Sequence, residues 1–199
     1  MELKESHKKV IEKIEDFLLN YKFYLAGGTA IYYYLNHRES EDLDFFTNYE
    51  VNFIKEQFRF KDYRIDLIKN DTLYINIENI KISLFYYPYP LIYPLKKINN
   101  IYIADLKDIL LMKIIAIIQR GSKKDFIDVY FILKELNINL EQLIDLFKQK
   151  YGNYNKTILL KALVYFDDAD NEIMPYMIKE INWGEIKKFF IKEFTNIKI

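Results

Sequence analysis

At 199 residues, with 51% hydrophobic and 29% charged residues, the chain has the composition of a globular protein and the length of one large domain or two small ones. Its 29 basic residues balance its 29 acidic ones, so bulk charge does not indicate a nucleic-acid partner, although it leaves room for a local basic patch. There is no cysteine and there are only two histidines, which excludes disulfides, zinc–thiolate sites, thiol nucleophiles and histidine-rich metal sites.

The N-terminus opens with a charged amphipathic segment, so we expect no signal peptide. The most apolar run, Ile109 to Ile118, contains Lys113 and is shorter and more charged than the stretch of about 20 apolar residues that crosses a membrane. We therefore expect a cytoplasmic protein without a membrane partner.

Hydrophobic periodicity predicts the elements of the first hundred residues. Apolar side chains recur at helical spacing in the first of them, and the last three are strands rich in Ile, Tyr and Phe. In chain order we predict a helix, a strand, a helix, a strand, a helix and three strands at 4–20, 23–25, 29–36, 43–46, 51–58, 63–68, 72–77 and 80–86.

Pro88, Pro90 and Pro94 exclude a central strand or a helix interior, and we interpret their segment as the crossing between two lobes. Beyond it the periodicity predicts only helices, at 105–120, 122–136, 140–151, 154–165 and 184–196. The sequence therefore predicts an α+β fold, with a mixed sheet flanked by helices in residues 1–100 and a helical bundle in residues 101–199.

Asp42 and Asp44 form the first chemical signal. At i and i+2 they share one face of the predicted strand, about 6.6 Å apart, and would repel by roughly 2.5 kcal/mol at an effective dielectric of about 20. A bound cation would offset this repulsion, and oxygen ligands suit Mg²⁺ or Mn²⁺. The alternative is that both acids decorate the start of a strand and face water.

Gly27-Gly28-Thr29 precedes this pair at the start of a predicted helix. Glycines let the backbone approach phosphates closely, and the amides at a helix N-terminus attract anions. Together with the two acids, the segment indicates a site for a metal-bound nucleoside triphosphate. Its structural alternative is a tight turn with Thr29 as the helix N-cap, and the two interpretations are compatible.

Several segments of the sequence resemble the AbiEii/AbiGii toxin family, which are nucleotidyltransferases of the DNA polymerase beta-like superfamily. The resemblance is strongest in a first motif made of 23–30, 37–40 and 42–46, and it continues through 81–90, 111–116, 120–121 and 123–131. It implies an N-terminal nucleotidyltransferase lobe, and an activity that moves a nucleoside monophosphate from an NTP to an acceptor hydroxyl and releases pyrophosphate.

The resemblance also implies partners and residue roles. Asp42 and Asp44 would hold the metal, and the acceptor end of tRNA and a cognate antitoxin are the expected partners. The residues expected to bind the nucleotide are Gly27, Gly28 and Thr29, together with Arg38 and Ser40, which lie close to the acids in sequence. For His37-Arg38 the alternative is a pair that simply ends a helix.

One position departs from the superfamily pattern, which usually has a third carboxylate on a later strand. Here the corresponding residue is Ser83, whose hydroxyl is a weaker metal ligand. Asp66 would compensate if its strand lay next to that of Asp42. Otherwise two acids hold the metal, which puts turnover in question more than nucleotide binding.

Lys113 lies on an apolar helix face, where a lysine either extends its amine to solvent or finds an anionic partner. Because the family has a functional lysine in this helix, we favour a phosphate contact and a place among the catalytic residues. Arg120, two turns further on, either extends this basic face or complements the helix C-terminus before Gly121.

Asp125 and Asp128 are the candidate acids of the second lobe, and at i and i+3 they share a helix face. Ser122-x-x-Asp125 resembles a capping box, which gives Asp125 a structural explanation. We therefore favour Asp128 as the catalytic acid, paired with Lys113 or Lys124, and keep Asp125 as a candidate.

Three functions follow from the sequence. The first is metal-dependent nucleotidylation of an RNA, with tRNA as the favoured acceptor, by a toxin of a toxin–antitoxin or phage-defence pair. The second is nucleotidylation of a protein or of a small molecule such as an aminoglycoside, which the flat charge balance favours. The third, suggested by Ser83, is a nucleotide-binding module with little turnover.

Overall fold

The computed structural model of the chain describes residues 2–50, 63–69, 71–152 and 154–195. The predicted helix at 51–58 lies outside these residues. The chain forms two compact units. The sheet unit comprises Met1–Tyr34 and Ser40–Asp105, and the helical unit comprises Leu35–Glu39 and Leu106–Ile199.

The sheet unit contains a seven-stranded mixed sheet with the strand order β3-β4-β5-β2-β1-β7-β6. Strand β2 lies near its middle, antiparallel to β1 and parallel to β5, which confirms the predicted mixed sheet. The elements of this unit are helices α1 (Glu5–Asn20) and α2 (Gly27–Leu35) and strands β1 (Tyr24–Ala26), β2 (Leu43–Thr47), β3 (Tyr63–Lys69), β4 (Thr72–Ile77), β5 (Ile80–Tyr86), β6 (Lys96–Ile98) and β7 (Ile101–Ile103).

Alternation along β2 separates the core from the partly exposed face of the sheet. Leu43 and Phe45 are completely buried, as are the apolar residues of α1 such as Ile14 and Leu18. Asp44 and Phe46 point the other way and are only half-buried. A strand of this pattern therefore presents Asp44 on the open face while its neighbours are fixed in the core.

The hairpin of β6 and β7 is a feature that the sequence analysis missed. Each strand has only three residues, too few for a periodicity signal, and Asn99 between them has a φ of 47°, a left-handed conformation that asparagine tolerates. Strand β7 pairs in parallel with β1. The proline-rich segment leads into this hairpin, so its interpretation as the crossing between lobes is wrong.

The helical unit confirms the predicted run of helices. Its elements are α3 (Leu106–Arg120), α4 (Lys123–Leu136), α5 (Leu140–Tyr151), α6 (Lys156–Leu163), the single turn α7 (Asp167–Asp170) and α8 (Trp183–Thr195). Helix α6 begins later than predicted because the Asn155 side chain accepts the amide of Thr157 and so caps its start. Ile114, Phe126 and Phe190 belong to the fully buried core of this unit.

Residues Leu35–Glu39 belong to the helical unit although both of their sequence neighbours belong to the sheet unit. Their backbone is paired there with an extended segment near the C-terminus: Glu39 N donates to Tyr176 O, and the amides of Ile178 and Lys179 both donate to His37 O. The chain therefore enters the helical unit twice, at Leu35 and at Leu106.

Within the described residues, no helix combines the length and the apolar character needed to cross a membrane.

Candidate active site

Gly27 is the point where helix α2 and the carboxylate of Asp44 approach each other. The antiparallel pairing of β1 with β2 sets Ala26 opposite Asp44, so the next residue begins the helix beside this side chain. Gly27 has a φ of +68°, and a Cβ added there would lie 3.0 Å from Asp44 Cβ and would collide with its carboxylate. Both the backbone angle and the close approach require glycine.

Three hydrogen bonds hold the segment from Ser40 to Asp42 in place. The Thr29 hydroxyl donates to Asp42 O at 2.5 Å and is hydrogen-bonded to the Ser40 hydroxyl at 2.9 Å. The buried His7 of α1 lies 2.9 Å from Glu41 O, to which its Nε2–H donates. The backbone just before Asp44 is thus fixed from two helices.

Thr29 is not the N-cap of α2. It is the third residue of the helix, is fully buried, and uses its hydroxyl on the Ser40–Asp42 segment rather than on a helix amide. His7 was not among the candidate residues. Its position 34 residues before Glu41 left no local signal in the sequence.

Asp42 is exposed and lies immediately before β2, and Asp44 is half-buried on that strand. No group of three or more His, Cys, Asp and Glu residues within the described part of the chain has the geometry of a metal site. The site therefore offers two carboxylates, which as hard oxygen ligands fit Mg²⁺ or Mn²⁺ when phosphate oxygens and waters complete the shell.

Ser83 occupies the position beside Asp44 on the neighbouring strand β5, where the register pairs the two residues directly. Its side chain is on the same face of the sheet and is 9% exposed. Asp66 does not compensate, because β4 and β5 separate its strand from β2, a distance of three strand spacings or about 14 Å.

Next to Asp44 and Ser83, on the same face of the sheet, lies a row of aromatic rings. The Phe46 and Phe85 rings stack at 4.8 Å, and Tyr24 stacks on the other side of Phe46 at 6.1 Å. The alternation that puts Asp44 and Ser83 on this face puts Phe46 and Phe85 there as well, two residues further along their strands. It gives the carboxylates a rigid apolar neighbour.

The second cluster of candidate residues, which we call the Asp128 cluster, lies in the helical unit. It comprises His37, Arg38, Lys113, Arg120, Asp125 and Asp128. Arg38 forms a bidentate ion pair with Asp128, in which Nε donates to Oδ1 at 2.7 Å and Nη2 donates to Oδ2 at 2.8 Å. His37 Nε2 and Lys113 Nζ add contacts at 2.7 and 2.8 Å.

Asp125 continues the cluster towards the surface. It accepts from Lys113 Nζ at 2.9 Å and from Arg120 Nε at 2.8 Å, and the Arg120 side chain is 63% exposed. The capping-box prediction is wrong, because the Ser122 hydroxyl donates to Glu172 and makes no cap hydrogen bond. Asp125 is explained by its two cations instead.

Burial and charge act in opposite directions on the pKa values of this cluster. Burial raises the pKa of Asp128, but Lys113 and Arg38 outweigh it and hold the pKa well below its usual value. Burial lowers the pKa of Lys113, and the two carboxylates outweigh it, so the pKa rises. Both groups therefore remain charged.

His37 behaves differently, because here burial dominates and lowers its pKa despite the contact with Asp128. The neutral ring donates from Nε2 to the carboxylate, and Nδ1 has no hydrogen-bond partner among the described residues. Three cations, Arg38, Lys113 and Arg120, contact the two carboxylates of the cluster, and Arg120 is the exposed one among them.

The candidate residues thus fall into two groups. The sheet unit contains Gly27, Gly28, Thr29, Ser40, Asp42 and Asp44, and the helical unit contains Arg38, Lys113, Arg120, Asp125 and Asp128. The predicted pairing of Asp128 with Lys113 is confirmed, and an amine extended to solvent is wrong for Lys113, which is 8% exposed. The partnership of Asp128 with His37 and Arg38 spans about 90 residues and was not predicted.

Comparison with known proteins identifies a family to which most of the chain is similar. A family model described as nucleotidyl transferase AbiEii toxin, type IV TA system, matches residues 10–77 and 62–196. An uncharacterized protein of Aquifex aeolicus (strain VF5) is 39% identical over 202 residues, which are 96% of this chain and 97% of that protein.

Solved structures share the fold at lower identity. MenT4, a nucleotidyltransferase toxin from Mycobacterium tuberculosis H37Rv, has a TM-score of 0.57 at 12% identity, over 95% of this chain and 83% of that one. JHP933 from Helicobacter pylori has a TM-score of 0.51 at 20% identity, over 98% and 91% of the two chains.

Proposed function

The chain belongs to the AbiEii nucleotidyltransferase toxin family, and on this premise we propose that it transfers a nucleoside monophosphate to a tRNA in a reaction that depends on a divalent metal at Asp42 and Asp44. The observation that carries this proposal is the approach of Asp44 to Gly27. It sets a carboxylate against the first turn of a helix, whose amides would bind the phosphates of a metal-bound triphosphate.

Each residue of the sheet site has a separate task in this proposal. Asp42 and Asp44 hold the cation, which neutralises the triphosphate and activates the attacking hydroxyl when bound. Gly27 and Gly28 leave space for the phosphates at the start of α2. Thr29 acts indirectly, by fixing the backbone oxygen of Asp42.

The reaction forms a bond from an acceptor oxygen to the α-phosphorus while the bond to pyrophosphate breaks. Because Ser83 stands beside Asp44 where a third acid would be, the chain supplies two carboxylates for this step. We therefore expect a modest turnover and a high requirement for Mg²⁺ rather than an inactive protein.

Arg120 supports a polyanionic substrate. Its side chain is 63% exposed, and Asp125 accepts from its Nε and Nη2 and so orients the guanidinium. A guanidinium held in this way binds a phosphate with little further loss of side-chain entropy. We assign it to a phosphate of the nucleotide or of the RNA. The family description also implies a cognate antitoxin as partner.

The test is to follow each α-labelled NTP in the presence of Mg²⁺ with three acceptors: purified tRNA, a protein lysate freed of RNA, and an aminoglycoside. We expect label on tRNA, lost when a chelator removes the metal. Label on a protein or on the aminoglycoside would replace tRNA as the acceptor. Absence of transfer and of pyrophosphate release with all acceptors would contradict the proposed activity.

A further inference from the structure

Ser83 and the start of helix α2 lie on opposite sides of Asp44 in the sheet unit. The strand order places β2 between β5 and β1. On one side the register pairs Asp44 with Ser83, and on the other it pairs Asp44 with Ala26, the residue before Gly27. Because neighbouring strands are about 4.8 Å apart, each partner is one strand spacing from Asp44. The carboxylate therefore has a helix N-terminus on one side and a hydroxyl group on the other.

The hydroxyl of Ser83 differs from two other hydroxyls near the acids. Those of Thr29 and Ser40 are hydrogen-bonded to each other, and Thr29 also donates to Asp42 O. The Ser83 hydroxyl forms no hydrogen bond with another described residue, and its side chain lies on the same face of the sheet as that of Asp44. Of these three hydroxyls, it is the one that is free to react.

This arrangement matches the geometry of nucleotidyl transfer. In that reaction the attacking and the leaving oxygen lie roughly in line, on opposite sides of the α-phosphorus. In the proposed function the amides at the start of α2 bind the phosphates, so pyrophosphate leaves on the β1 side of Asp44. The attacking hydroxyl then approaches from the β5 side, where Ser83 lies.

We propose that Ser83 is itself an acceptor: when no other acceptor is bound, the protein transfers a nucleoside monophosphate from an NTP to the Ser83 hydroxyl. This inference rests on the proposed function of Asp42 and Asp44 as metal ligands. The Ser83 oxygen forms a bond to the α-phosphorus, the bond from the α-phosphorus to pyrophosphate breaks, and the hydroxyl proton passes to water. The products are pyrophosphate and a phosphodiester of serine.

The position of Ser83 makes this reaction self-limiting. A nucleotidylated Ser83 has an anionic phosphodiester about one strand spacing from Asp44, where it repels the phosphates of a further NTP. It also occupies the side from which an external hydroxyl attacks. Self-modification therefore competes with transfer to tRNA and then stops it, with one nucleotide per chain as its limit.

The direct test follows the mass of the intact protein after incubation with each NTP and Mg²⁺ but no acceptor. We expect a gain of one nucleoside monophosphate per chain, on the peptide that contains Ser83, and a smaller gain when tRNA is present. Ser83→Ala should gain no mass. Ser6→Ala is the matched control, because Ser6 is an exposed serine on α1 of the same unit, and it should gain as much as the wild type.

The same proteins test whether the modification limits activity. Preincubation with NTP should lower later transfer to tRNA by the wild type in proportion to its modified fraction. It should not lower the transfer by Ser83→Ala. The peptide map of the wild type identifies the modified residue even if Ser83→Ala does not fold.

A second measurement needs no turnover. The chain has no cysteine, so Ser83→Cys introduces a single thiol, and the rate of its alkylation by iodoacetamide reports access to position 83. An NTP analogue with an uncleavable bridge between its α- and β-phosphates, added with Mg²⁺, should slow this alkylation at least tenfold. The same addition should not change the alkylation rate of Ser6→Cys.

Three outcomes would overturn the inference. The first is a wild type that transfers nucleotide to an added acceptor but gains no mass itself. The second is a mass gain on another residue, such as Tyr74, which pairs with Ser83 from β4. The third is alkylation of Ser83→Cys at the same rate with and without the analogue.

The failure of the proposed function has a different signature. A wild type without transfer to any acceptor, without pyrophosphate release and without a mass gain would overturn the proposed activity and this inference with it. Protection of Ser83→Cys by the analogue would then still show that position 83 faces a bound nucleotide.

Discussion

The two clusters contain the same kind of side chain in opposite states. In the sheet unit, Asp42 is exposed and Asp44 is half-buried at a glycine-lined helix start. In the helical unit, Asp125 and Asp128 are completely buried and bound by cations of the same chain. A buried carboxylate bound by cations is costly to remove, because its partners would remain buried without it, whereas an exposed carboxylate such as Asp42 can bind a cation at little cost to the fold.

The largest contrast is expected in stability. Asp128→Ala leaves Lys113 and Arg38 buried without their main counter-charge and should lower the free energy of unfolding by about 3–5 kcal/mol. Asp42→Ala removes an exposed acid and should change it by less than about 0.5 kcal/mol. Denaturant titration of both variants measures the difference. Equal losses would mean that burial does not distinguish the two clusters.

Gly27→Ala tests the approach of Asp44 to the helix start. The strain of a positive φ and the collision with the carboxylate together should cost about 2–4 kcal/mol. Gly121→Ala is the control for a positive φ, because Gly121 has a φ of +57° and the added Cβ would meet its nearest atom at 3.5 Å, an ordinary contact distance. The excess loss at Gly27 measures the collision. No excess would show that Asp44 moves aside freely.

Ser83→Asp converts the sheet site into one with three acids. At an effective dielectric of about 20, a carboxylate about 5 Å from Asp44 is repelled by roughly 3 kcal/mol, so the variant should melt at a lower temperature without metal. Mg²⁺ should restore the melting temperature and raise the transfer rate. A variant that Mg²⁺ does not stabilise would place the metal away from the Asp44–Ser83 row.

A smaller effect is expected from pH. Burial lowers the pKa of His37 from 6.5 in the folded protein, and likewise that of His7. Below pH 6.5 the unfolded chain therefore binds protons that the folded chain does not, so stability falls as the pH drops, by up to about 1.4 kcal/mol per pH unit for each histidine. His37→Gln should make the free energy of unfolding less dependent on pH, because it removes the contribution of His37. Denaturant titration between pH 5 and 7 measures this dependence. An unchanged slope would contradict a buried neutral His37.

The sequence predicted those parts of the molecule that have local signals. The helices of the second half carry apolar residues at helical spacing, and the helix over 106–120 lies within one residue of its predicted start. The glycines at 27–28 and the acids Asp42 and Asp44 each form a short local pattern, which can be recognised without knowledge of the fold. The three-residue strands β6 and β7 are too short to produce such a pattern.

Features that depend on distant parts of the chain were out of reach. The strand order puts Asp66 at the sheet edge, and no local pattern encodes that order. His37 and Arg38 look like the end of a helix in sequence, and their partner Asp128 lies about 90 residues away. Thr29 looks like a cap until its contact with Asp42 O is known.

The most direct test of the account is nucleotide transfer by the variant Asp42→Asn, Asp44→Asn, compared with Asp16→Asn, which changes an exposed acid on α1. Loss of a metal that contributes several kcal/mol to the transition state predicts a fall in rate of about a thousandfold. The melting temperature should stay close to that of the wild type, because asparagine keeps the size and shape of each side chain. A folded double variant that transfers nucleotide at the rate of the Asp16→Asn control would contradict the account.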